Sequence, residues 1–320
     1  MSGRDRTILK PPRWRRSYNH KGWLFILPAL LLLLVMEAYP VGRSLYMSFF
    51  DYSILEPDST RFVGVDNYAA LVTNDQNRAA FRNTLYFTVL FVPPYVLLAL
   101  AIALGLHRVR RGAVLLRTLI FIPIVVSLAV SAVLFTLFYN ASFGLAHKML
   151  EGLCAAINAL PRLVGGGDWL TAPTAGVLGD PAWAMPAIAL MCLWNGIGLN
   201  VILYLVGLQR IPDELHEAAV VDGASAWQRF VHVTLPQLRP TTYLVVLLSL
   251  IGAFKVFGQP YIMTLGGPQD ATMTYVMRLY NLAFRYGRFE LGYASAMAYA
   301  LAVFIFVMAL FVKRLNKPVD

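Results

Sequence analysis

No G-x-x-x-x-G-K-[ST] phosphate loop occurs in this chain, so it holds no nucleotide site of its own. The histidines, His20, His107, His147, His216 and His232, lie in loops or at the ends of apolar stretches. That placement leaves no buried general base for a membrane hydrolase. Cys154 and Cys192 are the only cysteines; they lack ligand spacing, read as isolated thiols and carry no redox inference. No catalytic residue, bound cofactor or metal set is therefore expected. The glycine-rich GGGDWL at Gly165 to Leu170 follows no strand and reads as an external turn, and no internal repeat or low-complexity linker divides the chain. Charge is short as well: 14% of residues are charged, against roughly 25% in soluble domains.

What replaces charge is apolar length. With 58% hydrophobic residues and a mean hydropathy of +0.61, the chain reads as one membrane domain. Six segments, near 23 to 42, 84 to 107, 113 to 139, 183 to 208, 241 to 263 and 292 to 312, approach the roughly 20 residues needed to cross hydrocarbon as a helix. Pro28, Pro93, Pro94, Pro123, Pro186 and Pro260 fall inside them and predict kinks that neighbouring helices must satisfy. The first segment follows a basic stretch, but no small-residue cleavage site follows its apolar run, so it reads as a retained span. The expected organisation is a basic arm over 1 to 22, a transmembrane domain over 23 to 312 and a tail over 313 to 320.

Lysine and arginine set the expected orientation. They crowd the arm (Arg4, Arg6, Lys10, Arg13, Arg15, Arg16, Lys21), the loop after the second span (Arg108, Arg110, Arg111) and the tail (Lys313, Arg314, Lys317), whereas the loops near 43 to 82, 140 to 182 and 264 to 291 are less basic for their length. Both termini and the segment between the fourth and fifth spans should thus face the cytoplasm. The formal net charge of +10 follows this placement beside anionic headgroups, which argues against nucleic acid as a partner. The arm, with Pro11 and Pro12, reads as a flexible or lipid-surface element, and Glu37 as an interfacial group.

The segment from Glu217 to Pro240, EAAVVDGASAWQRFVHVTLPQLRP, is too polar to span and too apolar for a bare loop. Ala218, Ala219, Ala224, Trp227, Val231 and Leu235 recur at helical spacing, an apolar stripe that something must cover. Asp222-Gly223 predicts a corner between two short helices, Gly223 tolerating the bend and Asp222 capping the next turn.

This segment resembles the "EAA" signature of bacterial ABC-importer permeases: Glu-Ala-Ala, two residues, Asp-Gly-Ala, and later Leu-Pro. Glu217, Ala218, Ala219, Asp222, Gly223, Ala224, Leu235 and Pro236 stand at those positions. A second resemblance, to carbohydrate permeases of the maltose-permease class, runs over nearly the whole chain. It includes FVGVDNYAAL (Phe62 to Leu71), LVGLQRIPDELHEAA, FKVFGQPYIMTLGGP (Phe254 to Pro268) and LGYASA (Leu291 to Ala296). The resemblance implies an all-α, six-helix membrane bundle of the type I importer kind with a cytoplasmic coupling helix in the 209 to 240 loop. It further implies a second homologous permease chain, two ABC ATPase subunits that carry ATP and Mg, an extracytoplasmic solute-binding protein, and residence in a bacterial or archaeal cytoplasmic membrane. Glu217 is expected to contact the ATPase, Ala218, Ala219 and Ala224 to allow close approach, and Asp222 and Gly223 to form the corner.

Polar groups inside the spans nominate a solute path: Trp194, Asn195 and Asn200 in the fourth, Lys255, Gln259 and Tyr261 in the fifth. Aromatic faces suit sugar C–H surfaces and amides suit hydroxyls. For any single one of them, an interhelical bond or an interfacial ring is the simpler reading. The family often has Asp where this chain has Gly258, which removes a local partner for Lys255 and opens an acidic sugar or glycerol phosphate-type solute beside the neutral sugar, oligosaccharide or polyol. Buried Lys is costly and should face a cavity, a partner or the interface. The sequence HKMLEGLCAAINAL predicts an amphipathic helix that either receives the binding protein or lies on the bilayer. An ion-coupled carrier is the competing class; it should show buried carboxylates or inverted repeats, and neither is evident.

Overall fold

A computed structural model describes residues 14–109, 111–163, 173–285 and 287–315. Most of the expected basic arm, the glycine-rich run at 165–170 and most of the tail lie outside the described residues. In chain order come α1 (Trp14–Leu33), a π turn (Leu34–Ala38) and α2 (Tyr39–Met47); then strands β1 (Phe50–Asp51) and β2 (Arg61–Phe62), paired antiparallel, and α3 (Asp66–Thr73). The bundle continues with α4 (Asp75–Arg108), α5 (Ala113–Val125), α6 (Leu128–Phe138), α7 (Leu145–Leu163) and α8 (Pro181–Gln209). It closes with α9 (Asp213–Val221), α10 (Ala226–Arg229), α11 (Leu235–Gln237), α12 (Arg239–Phe254), α13 (Gly258–Met263), α14 (Tyr275–Phe284) and α15 (Leu291–Leu315).

Among the described residues, four stretches are long and apolar enough to cross a membrane: Gly22–Met47, α4, α8 and Leu291–Arg314. Counting two bent pairs as spans, α5 with α6 and Ala226–Gln237 with α12, brings the number to six. Two expected spans need correction, and a third shows its expected kink. The segment near 113 to 139 turns by 94° between α5 and α6. Pro123 lies two residues before the end of α5, and its ring and missing N–H oppose continuation of the helix. The segment near 241 to 263 stops being helical at Phe254, with Lys255 at its C-cap and α13 a separate short helix. The first span runs on to Met47 through a π turn instead of ending near 42.

The centre of the bundle is α4 against α8, with α12 and α5 beside them. One core cluster joins Phe87, Phe91 and Tyr95 of α4 to Met185, Ile188 and Met191 of α8 and Ala253 of α12. A second joins Ala99 and Ala103 to Val201, Tyr204, Leu205, Leu238 and Val245. Ala99 and Ala103, one turn apart and fully buried, let the helix axes approach, the packing that membrane helices use in place of a hydrophobic drive. By contrast, the first span has none of its apolar window buried within the chain. Near its far end it is tethered where the Tyr299 hydroxyl meets Val41 O and lies 3.1 Å from Ser44 Oγ. Helix α7 is turned the unusual way: Leu145, Met149 and Leu153 face out while His147, Cys154 and Asn158 are buried. His147, in the inter-span stretch expected to be helical, is buried, which the sequence did not lead one to expect, and lies 3.3 Å from Glu151.

Close approach between α5 and α8 depends on Gly198, where an added Cβ would lie 2.7 Å from Ile120 O. Gly198→Ala should therefore destabilise the detergent-solubilised protein by about 1–3 kcal/mol, the usual cost of overpacking. Thermal unfolding checks this: Gly105→Ala, a helical position whose Cβ would meet nothing within 4 Å, should hold or raise the midpoint.

Candidate functional site

Two regions concentrate the expected site residues. The first is the 217–240 segment. Helix α9 opens with Asp213 and Glu214 in its first turn, where carboxylates complement the helix dipole. It closes with a Schellman turn: Ala224 N donates to Ala219 O at 2.9 Å and Gly223 N to Val220 O at 3.0 Å. Gly223 takes φ +76 there, a left-handed conformation that a side chain would disfavour. The Ala-Ala and Asp-Gly-Ala positions are therefore the two halves of one hydrogen-bonded corner. The expected capping role of Asp222 is not what the structure has. Asp222 ends α9, and Ser225 caps α10: Gln228 N donates to Ser225 Oγ at 3.3 Å while Ser225 N donates to Gln228 Oε1 at 2.7 Å. Asp222 is one turn too early to reach those amides.

The segment is anchored at both ends. Ile211 and Leu238 are buried in the α4–α8 cluster. Between those anchors apolar side chains point outward: Val220, Val221 at 87% exposure and Trp227 at 71%, the Trp227 ring tilted on Phe230 at 5.5 Å. Glu217 and Ala218 are exposed on α9, Leu235 is exposed on α11, and Ala219, Ala224, Val231 and Pro236 are half-buried. These exposed apolar side chains are thus footed in the core at both ends of the segment.

The second region is a cavity of about 220 Å³ in the middle of the bundle. Asn195, Asn200 and Gln259 from the expected path line it, together with Phe87, Phe91, Tyr95 and Ser249. Phe87 and Phe91 stack at 5.3 Å and Phe91 and Tyr95 at 4.6 Å, forming a ring ladder along α4. Asn195 Nδ2 donates to Pro123 O at 2.9 Å and to Ser131 Oγ at 3.0 Å, which closes the break between α5 and α6 and leaves its Oδ1 for the cavity. Asn200 Nδ2 donates to Ser249 Oγ at 3.2 Å, and Ser249 Oγ donates to Val245 O at 2.7 Å. The Tyr95 hydroxyl donates to Gly196 O at 2.6 Å.

The other three expected path residues lie elsewhere. Trp194 packs on Phe135 at 5.3 Å, and Tyr261 joins Phe257 and Tyr280 in a ring cluster under Arg285. Lys255 opens into an apolar groove of about 560 Å³ between α12, α14 and α15, beside Leu279, Leu301 and Ile305. Phe87, Phe91 and Tyr95 were not among the expected residues, although their i, i+4 spacing puts them on one helix face.

Residues 85–320 match the family described as "Binding-protein-dependent transport system inner membrane component". The chain is 34% identical over 290 residues to the probable ABC transporter permease protein YurN of Bacillus subtilis (strain 168), covering 90% of this chain and 93% of that one. It is 32% identical over 298 residues to the lactose transport system permease protein LacF of Rhizobium radiobacter, covering 92% and 93%. A solved bacterial alginate ABC transporter, in complex with its alginate pentasaccharide-bound periplasmic protein, contains a chain of the same fold. That chain has a TM-score of 0.76 at 22% identity, with 96% of this chain and 99% of that chain covered.

The capping assignment separates two neighbouring variants. Ser225→Ala should cost about 1 kcal/mol locally. It should speed hydrogen exchange at Gln228 about fivefold, whereas Asp222→Ala should leave that amide unchanged. Equal acceleration by both would return the capping role to Asp222.

Proposed function

We propose, from the premise that the chain belongs to the binding-protein-dependent inner-membrane transport components, that it is the permease subunit of an ATP-driven importer for a sugar or oligosaccharide. The observation that carries this reading is the exposed apolar ridge beside Glu217, closed by the Gly223 corner and footed in the α4–α8 core by Ile211 and Leu238. A ridge so placed transmits a push from outside the chain into the spans without bending. In our reading it sits in the cytoplasm of a bacterial or archaeal cell and docks an ABC ATPase, one of two that bind ATP and Mg. Both termini lie on the same side, as the distribution of basic residues suggests.

Solute passes beside the ring ladder of Phe87, Phe91 and Tyr95, whose faces suit sugar C–H surfaces, and the amides of Asn200 and Gln259, which suit hydroxyls. The lactose assignment of a relative 32% identical to this chain supports that chemistry. At about 220 Å³ the cavity is smaller than the roughly 300–1,000 Å³ of a typical ligand pocket, so a second homologous permease chain supplies the facing half. The same partner, with lipid, covers the first span, which this chain leaves bare. Solute arrives from an extracytoplasmic binding protein. The rocking of the two permease chains around the cavity is then biased by ATPase closure at one end and by solute at the other, a two-state element that both sites act on.

Glu217→Lys reverses the exposed charge next to the ridge, and an unfavourable charge pairing at an interface costs several kcal/mol. Uptake by the complete importer in proteoliposomes should fall at least about tenfold, the equivalent of 1.4 kcal/mol or more, while membrane insertion and the amount of this chain stay as in wild type. Undiminished uptake in that variant would refute the docking role.

A further inference from the structure

We infer an oxyanion site where the 217–240 segment meets the ends of α4 and α8. It takes the phosphate of an anionic phospholipid headgroup from the adjacent leaflet. A cavity of about 370 Å³ lies there, lined by His107 and Arg108 from the last turn of α4, His216 from α9, and Arg229, Phe230 and Thr234 from the segment beyond the corner. No carboxylate is among its lining residues. Basic residues at a helix C-terminus are ordinary complements of the helix dipole, and that accounts for His107 and Arg108 taken alone. It does not account for Arg229, which reaches the same cavity from a different element. Arg229 Nε is shut off from solvent and meets no hydrogen-bond acceptor among the described residues. A guanidinium N–H left so is expensive, and a doubly accepting oxyanion is the group its planar fork matches best.

Depth selects the source. Leu104 and Leu208, near the ends of the apolar runs of α4 and α8, line the cavity together with the basic side chains, Leu208 from the buried α4–α8 core. A basic pocket between spans at the headgroup level is where phosphodiesters of anionic lipids lie. The site bridges the proposed docking segment and the two central spans, so its occupant stiffens the joint through which ATPase motion reaches the cavity. The inference rests on the membrane orientation proposed above only for which leaflet contributes the lipid.

The test uses the complete importer, wild type and with R229Q, R229K or H216Q in this chain. Each is reconstituted in nanodiscs of mixed phosphatidylglycerol and phosphatidylcholine, and lipid retained after detergent washing is weighed by native mass spectrometry. Wild type should keep phosphatidylglycerol selectively. R229Q should keep about tenfold less, the loss that one charged hydrogen bond represents, with R229K intermediate and H216Q reduced. In a parallel arm, inorganic phosphate is added to phosphatidylcholine-only discs. If it raises the thermal midpoint of wild type but not of R229Q, and no phosphatidylglycerol is retained in the first arm, the oxyanion site stands with free phosphate as its source. Equal lipid retention in all four proteins, with no response to phosphate, overturns the site. So does release of the ATPase subunits by R229Q with lipid and phosphate behaviour unchanged, because the occupant is then a protein carboxylate. Sugar uptake by the wild-type complex is measured alongside: its loss speaks against the importer reading, and its persistence with failed lipid selectivity speaks against this site alone.

Discussion

In hydrocarbon every backbone N–H and C=O must find a partner inside the protein, and the irregular parts of this bundle are arranged around that requirement. A helix broken inside the membrane leaves carbonyls exposed. Asn195 closes the break between α5 and α6 by donating to Pro123 O. Thr274 Oγ1 donates to Val256 O at 2.8 Å just after α12 stops, and Tyr275 N donates in turn to Thr84 Oγ1 at 2.9 Å, which fixes α14 against α4. Each repair draws a polar side chain into the middle of the bundle. Of these, Asn195 lines the central cavity, where Asn200, Ser249 and Tyr95 also spend part of their hydrogen-bonding capacity on holding helices together. Asn195 thus both mends a broken span and lines the polar cavity.

The same architecture links the cavity to the 217–240 segment through few joints. Helix α8 carries Asn195 and Asn200 and leads within a few residues to Ile211, buried at the foot of α9. Leu238, fully buried, fixes the return of the chain into α12, which carries Ser249 and Gly252 on the cavity wall. Between these two anchors lies a corner held by backbone hydrogen bonds and a left-handed glycine, with a reciprocal cap on its far side. These bonds and the two buried anchors tie the corner to both α8 and α12. Little in it depends on burial by the chain itself, consistent with a surface whose apolar area is completed by another protein.

Legibility in the sequence followed the range of the interactions involved. The six apolar segments, the amphipathic helix after residue 144 and the corner at Gly223 rest on local composition and on glycine's freedom at positive φ, and they could be read residue by residue. Lys255 shows where such reading stops. Its charge within an apolar run marked it out, but whether it faces the cavity or a groove depends on where α12 ends and how α14 and α15 pack, which no local pattern encodes. Phe87, Phe91 and Tyr95 failed in the opposite sense: evenly apolar surroundings gave their shared face no contrast, and only the helix opposite revealed it as a wall. Asp222 was read as a cap because it precedes a helix, yet the three-residue turn that follows places Ser225 at the capping distance.

The sequence alone determined that this chain lives in a membrane, crosses it with about six apolar segments, and carries between the fourth and fifth an amphipathic element with a corner at Gly223. These follow from transfer energies and backbone preferences summed over neighbouring residues. Tertiary structure decided which polar groups share a cavity, which are used to mend broken helices, and which face outward. Those outcomes depend on contacts between residues about 50 to 200 positions apart, such as Asn195 with Pro123 and Thr84 with Tyr275, where packing geometry selects the partner.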